Sequence, residues 1–275
     1  MLFLWNTPIP PIKQYPYITL SLKNTTDAII PRKIYQSWCS HDLPPLMKKC
    51  NDKLKESNPE FQYELFDDTE CREFIRTNFA PDVLNAYDRL IPGAFKADLW
   101  RYCILYIYGG IYLDIKYGCV GDFRLVDLLD ESKYPSMIVV ETGPKYVYTG
   151  LLATPKGNPL YKECIDRIVQ HVAEGYYGES PMAPTGPELF GGLIPEMEKR
   201  RGVLFYYDDY FLKKGEEETR EKYRKRGYIK DLRTDKNILS HYLEYRVEQQ
   251  THAKTGYWMN LWREGNIYRS SVCDV

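Results

Sequence analysis

A few charged side chains stand in stretches that are otherwise apolar, and their types and spacing could do chemistry. Asp98 and Arg101 interrupt the run from Ala94 to Tyr108, where almost every other position besides Lys96 is apolar or aromatic. Asp114 follows in Ile111-Tyr112-Leu113-Asp114-Ile115-Lys116, with Lys116 two positions on. A carboxylate and a guanidinium three apart on a helix share a face. Together they can grip hydroxyls and phosphates through directional, charge-assisted hydrogen bonds. The same spacing also fits an internal ion pair that only fixes the helix. Asp114 falls near the end of a buried strand, where open α/β sheets place their ligand crevice, and an acid there without a ligand needs a partner.

The elements around these residues must bring them together. The segment 94–108 reads as a helix apolar all round, hence buried, and Gly109-Gly110 stops it. Residues 111–116 alternate in period two, so Ile111, Leu113 and Ile115 face one way while Tyr112, Asp114 and Lys116 line the other surface. Upstream, Ile34 to Trp38 reads as a strand, and Pro44-Pro45 opens a helix through about Glu56. Phe61 to Phe66 alternates as a second strand, and Asp67-Asp68-Thr69 caps a helix running to Asn78. A further helix spans about Pro81 to Arg89, Met137 to Val140 is another buried strand, and Asn158-Pro159 leads into a helix over about 160–173. Interleaved strands and helices predict an α/β fold with a mostly parallel central sheet flanked by helices. The organisation predicted is an N-terminal arm over 1–28 and a single domain over 29–275. Within it 213–245 is charged, including Glu216-Glu217-Glu218, and reads as a helical surface region on the acceptor side.

A 275-residue chain with a formal charge of -1 does not have the basic balance of a general nucleic-acid or membrane-surface binder. No run of about 18 apolar residues suggests a membrane span. The prolines at 8, 10, 11 and 16, without a basic start, argue against a signal peptide. The 7 cysteines have no Cys-x-x-Cys spacing, which argues against a zinc site or disulfide framework and points to a cytoplasmic setting. The lone sequon at Asn24 has no other secretory feature beside it. The 25 Tyr and 5 Trp suit sugar rings and nucleotide bases as well as ordinary cores.

The segment from Phe95-Lys96-Ala97-Asp98-Leu99-Trp100-Arg101-Tyr102 to Gly109-Gly110-Ile111-Tyr112-Leu113-Asp114-Ile115-Lys116 closely resembles the glycosyltransferase family whose sugar-binding region contains a DXD motif. That family includes the yeast initiating α-1,6-mannosyltransferases and is related to the clostridial glucosylating toxins. Its pattern is Asp-x-x-Arg-Tyr, a helix, Gly-Gly-x-Tyr, then Asp-x-Asp. Ile30 to Trp38, Gly150 to Pro159, Thr185-Gly186-Pro187, and His252 with Trp258 are similar to further parts of the family pattern, so the resemblance covers roughly residues 29 to 262. It implies a GT-A, Rossmann-like fold, a nucleotide-sugar donor, a divalent metal such as Mn2+ or Mg2+, and hexosyl transfer with retention to a hydroxyl of a glycan, protein or lipid. By resemblance Trp38 would stack on the base, Asp98 and Arg101 would hold the hexose, Tyr112 would support them, Asp114 would meet ribose and metal, and Trp258 would close on the donor.

The departure is Lys116, which stands where the family has its second Asp. Three consequences are open: Lys116 replaces the metal, making transfer metal-independent; a metal survives on Asp114 and His252; or transfer is lost and the chain is a nucleotide-sugar-binding module. Glu141, just after a strand, is the one further carboxylate that position suggests as base or nucleophile. Among donors the preference is UDP-glucose. A metal-dependent nuclease or hydrolase has neither a Gly-rich phosphate loop nor a His-rich motif behind it.

Overall fold

The computed structural model describes residues 29–129, 136–140, 146–194, 227–231, 234–252 and 254–270, and the backbone of 203–207. The predicted N-terminal arm, the charge run 213–226 and Glu141 lie outside the described residues.

Local signals set most boundaries. Strand β1 (Lys33–Ser37) leads to α1 (Pro45–Ser57), which begins on proline because a first-turn residue needs no N–H partner. Strand β2 (Gln62–Phe66) leads to α2 (Asp68–Asn78) through a capping box: the Asp67 side chain accepts from the Thr69 and Glu70 amides, and Glu70 accepts from the Asp67 amide. Then come α3 (Pro81–Arg89) and the long α4 (Gly93–Tyr108). Helix α4 ends at Gly109 with φ 65°, where a Cβ would lie 2.5 Å from the Lys156 amide nitrogen. Only glycine makes that turn.

Strand β3 (Gly110–Leu113) is shorter than predicted. The chain turns at Asp114, whose carbonyl accepts from the Tyr117 amide at 3.1 Å, and a separate strand β4 (Tyr117–Cys119) follows. The alternation across 111–116 continues through the turn, which is why it reads as one strand. Strands β5 (Met137–Val140) and β6 (Val147–Thr154) precede α5 (Pro159–Glu174), capped by Asn158 and closed by Gly175 in the left-handed region. After α6 (Pro187–Gly192) and β7 (Val203–Tyr207) come β8 (Gly227–Asp231) and β9 (Lys236–His241). These last two correct the helical reading of 213–245 over its described part. Residues 227–231 alternate buried and half-buried, the period of a strand. Helices α7 (Tyr245–His252) and α8 (Trp258–Arg263) follow.

The described strands form one sheet in the order β2-β1-β3-β6-β5-β7-β8-β9-β4. The α/β class is as predicted. Parallel pairing holds for β2-β1-β3 and for β5 with β7, while β6, β8, β9 and β4 pair antiparallel. Helices connect β1 to β2 and β2 to β3 in the parallel part, as parallel neighbours require.

Strand alternation divides the core between the two faces. Tyr35, Tyr112 and Leu152 join Leu99, Trp100, Tyr102 and Ile165 from α4 and α5 on one face. Ile34, Ile111, Leu113 and Leu151 join Leu54 of α1 and Leu239 of β9 on the other. Burying ions in α4 costs several kcal/mol each. Leu99, Trp100, Ile104 and Leu105, each 0% exposed, offset this at about 1.5–3 kcal/mol per side chain.

Gly150 lies where β6 passes closest to the strand end, its carbonyl accepting from the Asp114 amide at 2.8 Å. A Cβ there would strike the Tyr148 ring and come within 2.6 Å of Asp114 Oδ2. Gly150→Ala is therefore expected to lose about 1–3 kcal/mol in denaturant unfolding. An unchanged unfolding midpoint would show that this packing is not tight.

Candidate functional site

The turn after β3 places Asp114 at the C-terminal end of an interior strand, beside the face of α4 that carries Asp98 and Arg101. Besides the Gly150 and Tyr117 contacts, the Asp114 carbonyl accepts from Gln36 Nε2 at 3.3 Å, so its backbone is fixed by both neighbouring strands. Both carboxylate oxygens are engaged. Oδ1 accepts from the Tyr112 hydroxyl at 2.9 Å and lies 3.7 Å from Arg101 Nη2. Oδ2 accepts from Lys116 Nζ at 2.7 Å and from the Tyr148 hydroxyl at 3.1 Å. The Tyr117 hydroxyl donates in turn to Tyr148 at 3.0 Å.

Arg101 is held from several directions. Its Nη1 donates to the Thr149 carbonyl and hydroxyl at 2.8 and 2.9 Å and lies 3.2 Å from Asp98 Oδ1. Its guanidinium also sits 4.4 Å from the Tyr112 ring centroid. Asp98 accepts from the Thr185 hydroxyl at 2.7 Å. Burial pushes the Asp98 carboxyl above its usual range, although Arg101 and Thr185 oppose this. Burial acts on Asp114 too, but Lys116 and Arg101 outweigh it and hold that carboxyl well below the usual carboxylate range. Burial lowers the Lys116 ammonium from its ordinary value, with Asp114 pulling it back.

Three tyrosine rings surround that ammonium: Nζ lies 5.4, 5.5 and 5.6 Å from the ring centroids of Tyr117, Tyr148 and Tyr245. Tyr245 comes from α7, which Glu248 ties to α1. The Glu248 carboxylate accepts from the Leu46 and Met47 amides, both at 3.0 Å, supplying the cap that Pro44 cannot give. The Gly93 amide of α4 likewise donates to Thr255 Oγ1 at 3.1 Å, fixing the chain just before Trp258.

Trp38, Asp98, Arg101, Tyr112, Asp114, Lys116 and Trp258 all line one cleft of about 630 Å³. Trp38 is half-buried against Met47, Ile115 and Tyr245, and Trp258 packs tilted to Phe95 at 6.4 Å. His252 is not among the lining residues. It is exposed at the end of α7, roughly 10 Å along the helix axis from Tyr245 at 1.5 Å per residue.

Residues 44–135 match the family described as the glycosyltransferase sugar-binding region containing DXD motif. The chain is 30% identical over 195 residues to inositol phosphoceramide mannosyltransferase 3 of Schizosaccharomyces pombe, covering 70% of this chain and 52% of the relative. It is 38% identical over 100 residues to an uncharacterized glycosyltransferase of Acanthamoeba polyphaga mimivirus, covering 34% and 40%. It is 31% identical over 91 residues to the initiation-specific alpha-1,6-mannosyltransferase of Candida albicans, covering 31% and 24%. The chain thus spans about half, or less, of the length of these relatives. Among solved structures it is similar to the PaToxG glycosyltransferase, with a TM-score of 0.47 and 16% identity over 60% of this chain and 68% of that one.

In the matched region the DXD pattern reads Asp114-Ile115-Lys116. The residues present do not fit a divalent ion there. The one carboxylate has donors on both oxygens, two of them cationic, so a dication would have to displace them and sit against Lys116. The structure does not bring His252 together with Asp114: its side chain is exposed at the end of α7.

Sequence reasoning names Thr185 and Gly150 only as parts of a resemblance and Tyr245 only as the end of the acceptor-side region, and assigns nothing to Thr149, Tyr117, Tyr148 or Arg246. Tyr148 was legible in part: in period two it shares a face with Gly150, and a tyrosine two residues from a glycine on a buried strand signals a ring that needs that space.

Asp114→Asn leaves the buried Lys116 without its carboxylate partner and removes one of the two carboxylates facing Arg101, and is expected to cost about 3–5 kcal/mol at pH 7. The Asp114 carboxyl titrates lower when folded than when unfolded. Its stabilising contribution is therefore present above about pH 4, its unfolded value, and is lost as pH falls below that. The gap between wild type and Asp114→Asn in chemical unfolding should narrow between pH 5 and pH 3. A gap that stays constant across that range would contradict this assignment.

Proposed function

We propose that the chain transfers a hexose from a nucleotide sugar to a hydroxyl acceptor, with retention of the anomeric configuration. The observation that carries this reading is the convergence of Asp98, Arg101 and Asp114 at one cleft with Trp38 and Trp258 beside them. Its volume of about 630 Å³ falls within the roughly 300–1,000 Å³ of small-molecule sites. Asp98 accepts from sugar hydroxyls, and Arg101, fixed by Thr149 and Tyr112, donates to the sugar and its linked phosphate. Trp38 offers a flat apolar surface to the base, and Trp258 narrows the cleft over the donor.

In the transfer, the bond from C1 to the phosphate oxygen breaks and its electron pair goes to that oxygen. The acceptor hydroxyl bonds to C1 from the same face, and its proton passes to the departing diphosphate. The cationic side chains of the cleft oppose the charge that develops on the leaving group.

Similarity to proteins named as mannosyltransferases supports a mannosyl donor over the UDP-glucose preferred from sequence. The name of the Schizosaccharomyces pombe relative supports a lipid among the glycan, protein and lipid acceptors. The rival reading is a binding module without turnover, and the close Lys116–Asp114 pair at 2.7 Å is its best support.

Nucleoside diphosphate release from a panel of UDP and GDP sugars tests the proposal, followed by NMR of the product's anomeric configuration. Release from one donor, with a retained product, is expected. Asp98→Asn, which keeps the side chain's shape, should lower kcat/KM for that donor by on the order of 100-fold. Binding without release would favour the module reading, and an inverted product would overturn the retaining step.

A further inference from the structure

We propose that Lys116 and Arg246 do the work of the divalent ion, so that the chain holds the diphosphate of its donor with side-chain cations alone. This rests on the nucleotide-sugar reading of the same cleft. Replacing an aspartate by a lysine changes the local charge by two, the charge of the ion that the replaced carboxylate would hold. Lys116 is also built in. It is 8% exposed, lines the cleft, and is flanked by the Tyr117, Tyr148 and Tyr245 rings and the Asp114 carboxylate. Aromatic faces within about 6 Å favour the charged ammonium, so its surroundings keep an ion at this position.

Arg246 supplies the second charge. Its guanidinium lies 5.5 Å from the centroid of the same Tyr245 ring that Lys116 approaches at 5.6 Å, and it too lines the cleft. Gln249, one turn on, accepts from its Nη1 at 2.8 Å and sets its direction. The anchoring of α7 by Glu248 then fixes both the Tyr245 ring and Arg246. Among the described residues, six cationic and three acidic side chains line the cleft, in a chain whose formal charge is -1. A positive cleft in a nearly neutral protein is suited to a polyphosphate. When the C1–O bond breaks, the electron pair on the phosphate oxygen is opposed by the Lys116 point charge and the Arg246 fork.

Calorimetric titration of the full chain with UDP and with GDP, once in chelator and once with manganese, tests this. One of the two nucleotides is expected to bind with the same Kd in both conditions. Lys116→Met and Arg246→Gln should each weaken that binding by roughly 10- to 100-fold in chelator. Lys116→Asp should restore metal dependence, binding the nucleotide only with manganese. Wild-type binding that requires manganese would overturn this proposal and leave the transferase reading intact. If neither UDP nor GDP binds with or without manganese, both readings are overturned. If Lys116→Met does not fold, the wild-type comparison and Arg246→Gln still decide.

Discussion

The Asp114 carboxylate accepts from Tyr112, Lys116 and Tyr148 and faces Arg101, donors contributed by β3, the turn after it, β6 and α4. Much of the surrounding architecture can be understood as meeting the needs of this one half-buried acid. Helix α4 must be apolar almost all round to carry Asp98 and Arg101 inward. Gly109 must turn sharply so that β3 returns beside it, and Gly150 must lack a side chain so that β6 can approach. The strand must stop at Leu113 so that Asp114 leaves the ladder and meets the cleft. An uncompensated carboxylate at this depth would protonate or unfold the site, and the surrounding cations keep it ionised.

The same interaction separates what could be read in the sequence from what could not. Elements with strong local signals, such as the capping box at Asp67, the prolines that open α1, α3 and α5, and the glycine stop after α4, fall within a few residues of their predicted bounds. Asp98, Arg101, Asp114 and Lys116 stood out as charges in apolar runs. The long-range partners did not, because nothing local marks a hydroxyl that meets an acid 87 positions away, as Thr185 meets Asp98. The three-ring surround of Lys116 was hidden for the same reason: Tyr148 and Tyr245 are two among 25 tyrosines. The second half of the sheet was misread over 227–241 because the charges around those short strands obscure their alternation. His252 was picked by its order in the chain, and order alone does not say where the end of a helix leaves a side chain; here it is exposed.

For the chemistry, Lys116 changes the nature of the site. A divalent ion can be taken up and lost, whereas a lysine ammonium is permanently resident and cannot rearrange its coordination. A cleft built this way relies on its side chains already being in position, and that is the role of the contacts from Glu248 to α1 and from Thr255 to α4. These tie the late helices α7 and α8, which carry Tyr245, Arg246 and Trp258, to the two helices that flank the sheet.

The most direct measurement is a crystal structure of the chain with bound nucleoside diphosphate, grown in manganese and measured at the manganese absorption edge. The predicted result is a phosphate oxygen within hydrogen-bonding distance of Lys116 Nζ and no anomalous peak beside Asp114. A manganese peak bridging Asp114 and the diphosphate, with Lys116 turned out of the cleft, would contradict the account.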